Sequence, residues 1–363
     1  MKKIVCFHLY NDYSGSPRVL AMILKGLQKK GYSIDIITSN GGILNQLMYS
    51  DRIKFKFYKY HFSTNKWHTT LSYLFIQLYT FIWSFKYLFK KDIVFYINTI
   101  LPVGPALAGF LMRKEVIYHC HENVRTSNKF YFLLGKIMGK IAKKIICVSS
   151  FQSKQITTKK DIIVVPNSVS LKFYEHFKSI KKKELSKEKT VLMLSSLKIY
   201  KGIKEFFQLA QLLPQYLFTL VINDEQKNID IFLAENKISQ PFNLKIYSQQ
   251  KNIIPFYEHS SLLISLSNPK LIIETFGLTA IEGMTAALPV IVPTIGGIAE
   301  VVNHGIDGFK LDVNDIQKIA EYINRIFTDS NLYNKLSINA KKNSENYNYN
   351  KMLNQIINII ETK

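Results

Sequence analysis

The chain has 363 residues, 47% of them hydrophobic and 20% charged, and a formal net charge of +22. That length and apolar content suit two folded domains and exclude a disordered or low-complexity chain. Its three cysteines, Cys6, Cys120 and Cys147, all stand in apolar runs, and their odd number and placement suit a reducing cytosol better than a disulfide framework.

The start, MKKIVCFHLYND, turns polar too soon for a secretory leader. It reads as a first strand, KIVCFHLY, followed by the loop and helix NDYSGSPRVLAMILKGL (11–27). Gly15 and Ser16 stand in that loop, where a backbone without side-chain bulk lets a phosphate or sugar approach, and Pro17 suits a first helical turn. Further strands are expected at YSIDIIT, DIVFYINT, EVIYHCH, KKIICVSS and DIIVVPN, with helical stretches between most of them. Such alternation implies a parallel, doubly wound sheet.

Two of the intervening helices raise a membrane question. Residues 69–85, TTLSYLFIQLYTFIWSF, are uncharged and aromatic but short for a span, so a buried or interfacial helix is expected. KFYFLLGKIMGKIAKK (129–144) combines apolar residues with five lysines, as a core helix with a solvated face or an interfacial amphipathic helix would. Residues 1–170 hold 25 Lys+Arg against 7 Asp+Glu, net +18. Residues 171–363 hold 23 against 19, net +4. A basic half of this kind attracts polyanions, and an anionic membrane surface is the expected one. Nucleic acid is not expected, because no recognition module is present and the aromatics lie in apolar runs.

Residues 171–189, LKFYEHFKSIKKKELSKEK, interrupt the alternation and read as a linker between a domain at 1–170 and another at 190–345. The second half restarts with TVLMLSSL, LFTLVIND, FNLKIYS, SSLLISLS (260–267), LPVIVPT and GFKLD as strands. Directly after the first of these, in SSLKIYKGIKEFFQLA (195–210), Lys198 and Lys201 stand three apart with Gly202 next. Two ammonium groups at a strand end suit a leaving diphosphate. After the fourth, Glu274 and Glu282 stand eight apart; Glu274 falls in a loop, Gly277 follows, and Leu278–Ala287 reads as a helix. The helix N-terminus offers unpaired N–H groups and about half a positive charge, and in open parallel sheets ligands bind where strands end and helices begin. The carboxylates are placed to accept hydrogen bonds from hydroxyls.

Together with Pro289, Val290, Ile291, Gly296, Gly297, Glu300 and Val302, the Glu-x7-Glu spacing resembles the nucleotide-binding signature of the family 4 retaining glycosyltransferases. The resemblance implies the α/β GT-B fold, two Rossmann-like domains facing across a cleft and closing over a donor. It also implies that the helix at 346–363 crosses back to the first domain, although Tyr347-Asn348-Tyr349-Asn350 departs from the family's aromatic-Ser-Trp-like start. Ser196 likewise stands where the family has an arginine, with the cation at Lys198 instead.

By the same resemblance the catalytic group is His121, Lys198, Lys201 and Glu274, with Glu274 on the transferred sugar. The donor is held by Gly15, Ser16, the backbone of Gly277, Leu278 and Thr279, and Glu282 on the ribose. His119 and His121, on one side of the HCHENVR strand end, are both candidates for the family's histidine, and His121 fits the pattern better. No metal or other cofactor is expected, since no Asp-x-Asp stands in a suitable loop and the lysines and helix supply positive charge. The implied partners are a nucleoside diphosphate sugar and a lipid-linked or glycan acceptor, with the protein peripheral on the cytoplasmic face of the cell membrane and acting in surface-polysaccharide assembly. A nucleotide-sugar epimerase on the same fold is the alternative.

Overall fold

A computed structural model describes residues 2–60, 66–125 and 128–362, the side chain of Lys66 excepted. It divides into two compact units, Met1–Asn167 with Asn350–Lys363, and Ser168–Tyr349.

The first unit runs β1 (Lys3–Phe7), α1 (Gly15–Lys29), β2 (Ile34–Ser39), β3 (Ile53–Tyr58), α2 (Lys66–Ser84), β4 (Ile93–Asn98), α3 (Val103–Leu111), β5 (Glu115–Cys120), α4 (Lys129–Ile141), β6 (Lys144–Cys147), α5 (Ser150–Ser153) and β7 (Asp161–Val164). All seven strands pair in parallel in the order β3-β2-β1-β4-β5-β6-β7. The chain order reverses at β1, which pairs β2 through Ile4 and Ile34 and β4 through Ile4 and Val94. Val5, Phe7, Phe95, Ile97, Val116 and Tyr118 send one face of the sheet into a shared core.

β3 is a strand that apolar runs alone do not reveal. Its sequence IKFKFY alternates lysine with Ile and Phe, and it lies at the sheet edge. Lysines there keep an open edge from pairing with another chain.

The second unit begins with α6 (Leu171–Phe177), formed by the start of the charge-rich run; Phe173 and Phe177 are buried in this unit's core. Then follow β8 (Thr190–Ser195), α7 (Ile203–Leu212), β9 (Leu217–Ile222), α8 (Gln226–Glu235), β10 (Leu244–Tyr247), α9 (Ile254–Glu258), β11 (Leu262–Ile264), α10 (Leu278–Thr285), β12 (Val290–Pro293), α11 (Gly297–Val301), β13 (Gly308–Leu311), α12 (Ile316–Thr328) and α13 (Ser330–Ser344). The six strands are parallel in the order β10-β9-β8-β11-β12-β13, reversing at β8. Alternate residues serve opposite faces: Val191, Met193 and Ile264 join one core, Leu192, Leu263 and Val290 the other. A sheet apolar on both faces needs helices on both.

The last helix, α14 (Tyr349–Glu361), packs with the first unit apart from its first residue. Its final carbonyls are capped by cations from that unit. Lys144 Nζ donates to Ile359 O at 2.9 Å and Thr362 O at 2.6 Å, and Lys2 Nζ donates to Ile360 O. Tyr32 OH donates to Glu361, and Glu115 pairs with Lys2 and Lys144. Cations at a helix C-terminus satisfy carbonyls that lack partners within the helix. Lys144→Met is expected to lower stability by about 2–3 kcal/mol, because two charge-assisted bonds are lost at a buried site. Urea unfolding of the full chain checks this, and a loss of α14 helicity should accompany it.

Candidate functional site

In both sheets the strand order reverses at a central strand, and in each unit the chemistry-bearing residues gather at the strand ends beside that reversal. In open parallel sheets this is where ligands bind.

In the second unit, three loops meet at the ends of β8, β11 and β12. The first holds a short 3-10 turn, Ile199–Lys201, closed by Gly202 in the left-handed region at φ 79°. A side chain at Gly202 would meet Leu266, its Cβ at 2.3 Å and its carbonyl oxygen at 2.4 Å, so only glycine lets the loops pack this closely. Lys201 Nζ is thereby brought onto Glu274 Oε1, its partner in both a hydrogen bond and an ion pair. The hydroxyl of Ser267, at 2.8 Å, donates to the same oxygen. Gly297 N donates to Glu274 O at 2.7 Å, and a side chain at Gly296, φ 108°, would meet that carbonyl. The glycine pair of the third loop thus fixes the backbone that carries Glu274.

α10 starts just beyond. Gly277 caps it and packs so closely on Ile298 that a Cβ would lie 2.5 Å from its side chain. Leu278 and Thr279 form the first turn, whose N–H groups have no acceptor within the helix. Glu282, one turn on, is buried and accepts from Tyr257 OH at 2.6 Å. Lys198 is exposed and makes no ion pair among the described residues. The structure therefore joins Lys201 to Glu274, sets Gly277, Leu278 and Thr279 at the helix start, and leaves Lys198 outside the ion pair.

Ser267 and Tyr257 are partners that sequence reasoning did not find. Ser267 stands seven residues before Glu274, and the intervening loop folds back by its own turn, Leu271 N donating to Asn268 O. Tyr257 belongs to α9 and reaches Glu282 from across the core. No local spacing signals either contact.

In the first unit, His8 follows β1, Asn98 ends β4, and His119 and His121 end β5. The two histidine rings lie 4.3 Å apart, tilted by 37° to one another. His119 is fully buried, with Nδ1 2.7 Å from Tyr96 OH; His121 is half-buried, with Nε2 3.1 Å from Asn98 Oδ1. Asn98 Nδ2 lies 3.1 Å from His8 Nδ1. The amide thus bridges two imidazoles, His121 donating to its oxygen and its nitrogen donating to His8. Burial pushes His8 down to about 4 and His119 to about 3. Burial, with His119 and His8 nearby, holds His121 well below the ordinary histidine range. All three are neutral at neutral pH, so this cluster can exchange hydrogen bonds with hydroxyls but offers no cation.

Glu122 adds a second role that the sequence did not show. Its Oε2 accepts from the backbone of Ile100 at 3.1 Å and His121 at 3.2 Å, clamping the ends of β4 and β5 together. Burial pushes its carboxyl up to about 7, against the lowering effect of those N–H groups. A raised carboxyl favours folding below its ordinary value near 4.5 and loses that advantage as pH rises through about 7. Glu122→Gln is therefore expected to gain stability relative to the wild type between pH 5 and 8, by up to about 3 kcal/mol. Paired urea titrations at the two pH values check this; a difference independent of pH would contradict it.

Gly15 and Ser16 open α1. A Cβ at Gly15 would meet nothing within 4 Å, so this glycine borders open space. The loop before it is pinned by Asn11, which accepts from Leu44 N and donates to Asn45 Oδ1. Gly42 packs against Asn11 with no room for a side chain.

Comparison with known proteins assigns both units. The model of glycosyl transferases group 1 matches residues 175–343, and that of glycosyltransferase family 4 matches 13–173. An uncharacterized glycosyltransferase of Haemophilus influenzae is 22% identical, covering 98% of this chain and 99% of its own. The capsular polysaccharide biosynthesis glycosyltransferase CapM of Staphylococcus aureus is 25% identical over 95% of this chain and 93% of its own. Among solved structures, Anabaena HepE in complex with UDP and glucose superposes with a TM-score of 0.76 at 17% identity, over the whole of both chains. The two parallel sheets are those of the GT-B architecture, and the chain belongs to the family 4, group 1 glycosyltransferases.

Proposed function

We propose that this glycosyltransferase moves a sugar, with retention of anomeric configuration, from a nucleoside diphosphate donor to an acceptor hydroxyl in surface-polysaccharide assembly. The observation that carries the reading is the Lys201–Glu274 pair, steadied by Ser267 and set beside the start of α10. It places one cation, one hydroxyl acceptor and a helix N-terminus together, as a diphosphate bearing a sugar requires. Lys201, with Lys198 and the N–H groups of Gly277, Leu278 and Thr279, stabilises the departing diphosphate. Glu274 takes a hydroxyl of the sugar and Glu282, held by Tyr257, the ribose. His121, neutral and hydrogen-bonded through Asn98, meets a substrate hydroxyl. The sugar–phosphate C–O bond breaks through an oxocarbenium-like state, the acceptor oxygen bonds to the same face, and its proton passes to the leaving phosphate. Charge is supplied by these groups, with no metal or other cofactor assigned a role.

HepE, crystallised with UDP and glucose, favours a uridine nucleotide, and CapM favours a capsule-like product on a lipid-linked or glycan acceptor. The basic first half, net +18 over residues 1–170, supports peripheral association with an anionic membrane at the cytoplasmic face. The test is a panel of nucleotide sugars supplied with bacterial lipid extract. Transfer to the lipid fraction with the donor's anomeric configuration preserved is expected. An inverted product, or an isomerised donor without transfer, would overturn the proposal.

A further inference from the structure

α2 is apolar toward solvent as well as toward its own unit. The face turned to the rest of its unit carries Tyr73 and Ile76, with Phe81 and Trp83 packed on the core and Thr80 and Ser84 buried among them. Among the described residues, Thr80 and Ser84 bond only into their own helix, to Ile76 O and Thr80 O, both at 2.6 Å, with a longer contact from Thr80 to Gln77 O. The face turned outward carries Leu71, Leu74, Phe75, Leu78 and Ile82. Leu71 and Ile82 are 62% exposed and Phe75 68%, against 3% for Ile76 and Thr80. A surface helix in water keeps its apolar stripe toward the core and a polar face outward, and α2 lacks that polar outward face. The exposed apolar surface continues beyond the helix at Leu88 and Phe89, and on α3 at Leu107, Phe110 and Leu111. α3 meets α2 at Gly104, whose N–H donates to Gln77 Oε1 at 2.9 Å, and Lys114, just past α3, donates to Leu88 O and Lys90 O. A contiguous apolar surface of this kind on a soluble domain marks an interaction site.

The charges around it identify the partner. Residues 52–91 contain eight lysines and arginines and no Asp or Glu. At the end of α2, Lys86 lies over the Trp83 ring at 3.4 Å, with Lys90 and Lys91 exposed beyond it. A second copy of the chain would set these cations against their own like. An anionic lipid surface offers hydrocarbon for the stripe and headgroups for the lysines, and among the described residues no helix is long and apolar enough to cross a membrane. We propose that the outward face of α2, extended by α3, lies in the interfacial layer of an anionic bilayer and is the element that seats this protein on the membrane. This rests on the membrane association proposed above and names the surface that makes it.

The test is flotation of the full chain with vesicles of phosphatidylglycerol and phosphatidylcholine in equal parts, and with phosphatidylcholine alone. The wild type is expected to float with the anionic vesicles and the triple variant Leu71→Gln, Phe75→Gln, Ile82→Gln to bind them at least tenfold more weakly. Lys90→Gln with Lys91→Gln is expected to weaken binding most at low salt. Thermal stabilisation by UDP is followed in parallel, because the substituted side chains are exposed and the donor response is expected to survive. Wild type that stays in the lower fraction, or a triple variant that floats equally well, overturns the proposal. So does a wild-type dimer in sedimentation that the triple variant abolishes, which would assign the face to a second copy. A UDP response without flotation fails the membrane proposal alone, and flotation without a UDP response fails the donor reading alone.

Discussion

Lys201→Ala is expected to lower kcat on the order of a hundredfold to a thousandfold, the usual loss when a group stabilising transition-state charge is removed. Lys201 is held against Glu274, whose Oε1 also accepts from Ser267, so the ammonium is oriented by its carboxylate partner. Both side chains are about a quarter exposed. Breaking the pair is therefore expected to cost about 1 kcal/mol or less of stability. The separation of large kinetic from small thermodynamic loss is the signature to look for. Lys201→Arg keeps the charge but not its geometry and should recover part of the rate. Steady-state kinetics beside thermal unfolding would reveal the pattern; comparable losses in both would assign Lys201 a structural role.

Gly202→Ala is expected to fail in the opposite way, losing stability and activity together. An L-residue in the left-handed region costs about 1–2 kcal/mol. Its Cβ would also lie 2.3 Å from Leu266 Cβ and 2.4 Å from Leu266 O, so backbone must move, at a further cost of about 1–3 kcal/mol. Leu266 directly precedes Ser267, and Gly202 directly follows Lys201. Any relief of the overlap separates the residues that meet at Glu274. Gly15→Ala is the control: its added methyl meets nothing within 4 Å, so stability should change by less than about 1 kcal/mol. A rise in KM for the donor in that variant alone would support the proposed approach of a phosphate to α1. Unfolding curves for the two glycine variants, read beside their rates, distinguish these outcomes.

The strands were legible wherever apolar residues run together, because a parallel sheet covered on both faces needs such runs. β3 was not, since Lys54 and Lys56 break the run and an edge strand tolerates them. The placement of Lys201, Gly277 and Glu274 in strand–loop–helix turns was readable because they stand at fixed offsets from apolar runs. Their partners were hidden, because Ser267 on Glu274, Tyr257 on Glu282 and Asn98 between two histidines are contacts made by folding rather than by spacing. The sequence favoured His121 of the two histidines ending β5 without fully separating it from His119. Burial separates them, with His119 inside the sheet's core and His121 partly open. Which face of α2 points outward was equally hidden, since its stretch is uncharged all round and only packing against α3 and the sheet decides it.

The most direct test of the central claim, that the second unit holds a nucleoside diphosphate between Lys201, α10 and Glu282, is thermal unfolding with UDP, GDP and ADP in turn. The wild type is run beside Glu282→Gln. A ligand at about a hundred times its dissociation constant adds about 2.7 kcal/mol to stability. The expected result is stabilisation by UDP that Glu282→Gln largely loses. No response to any of the three, or an equal response from the variant, would contradict the account.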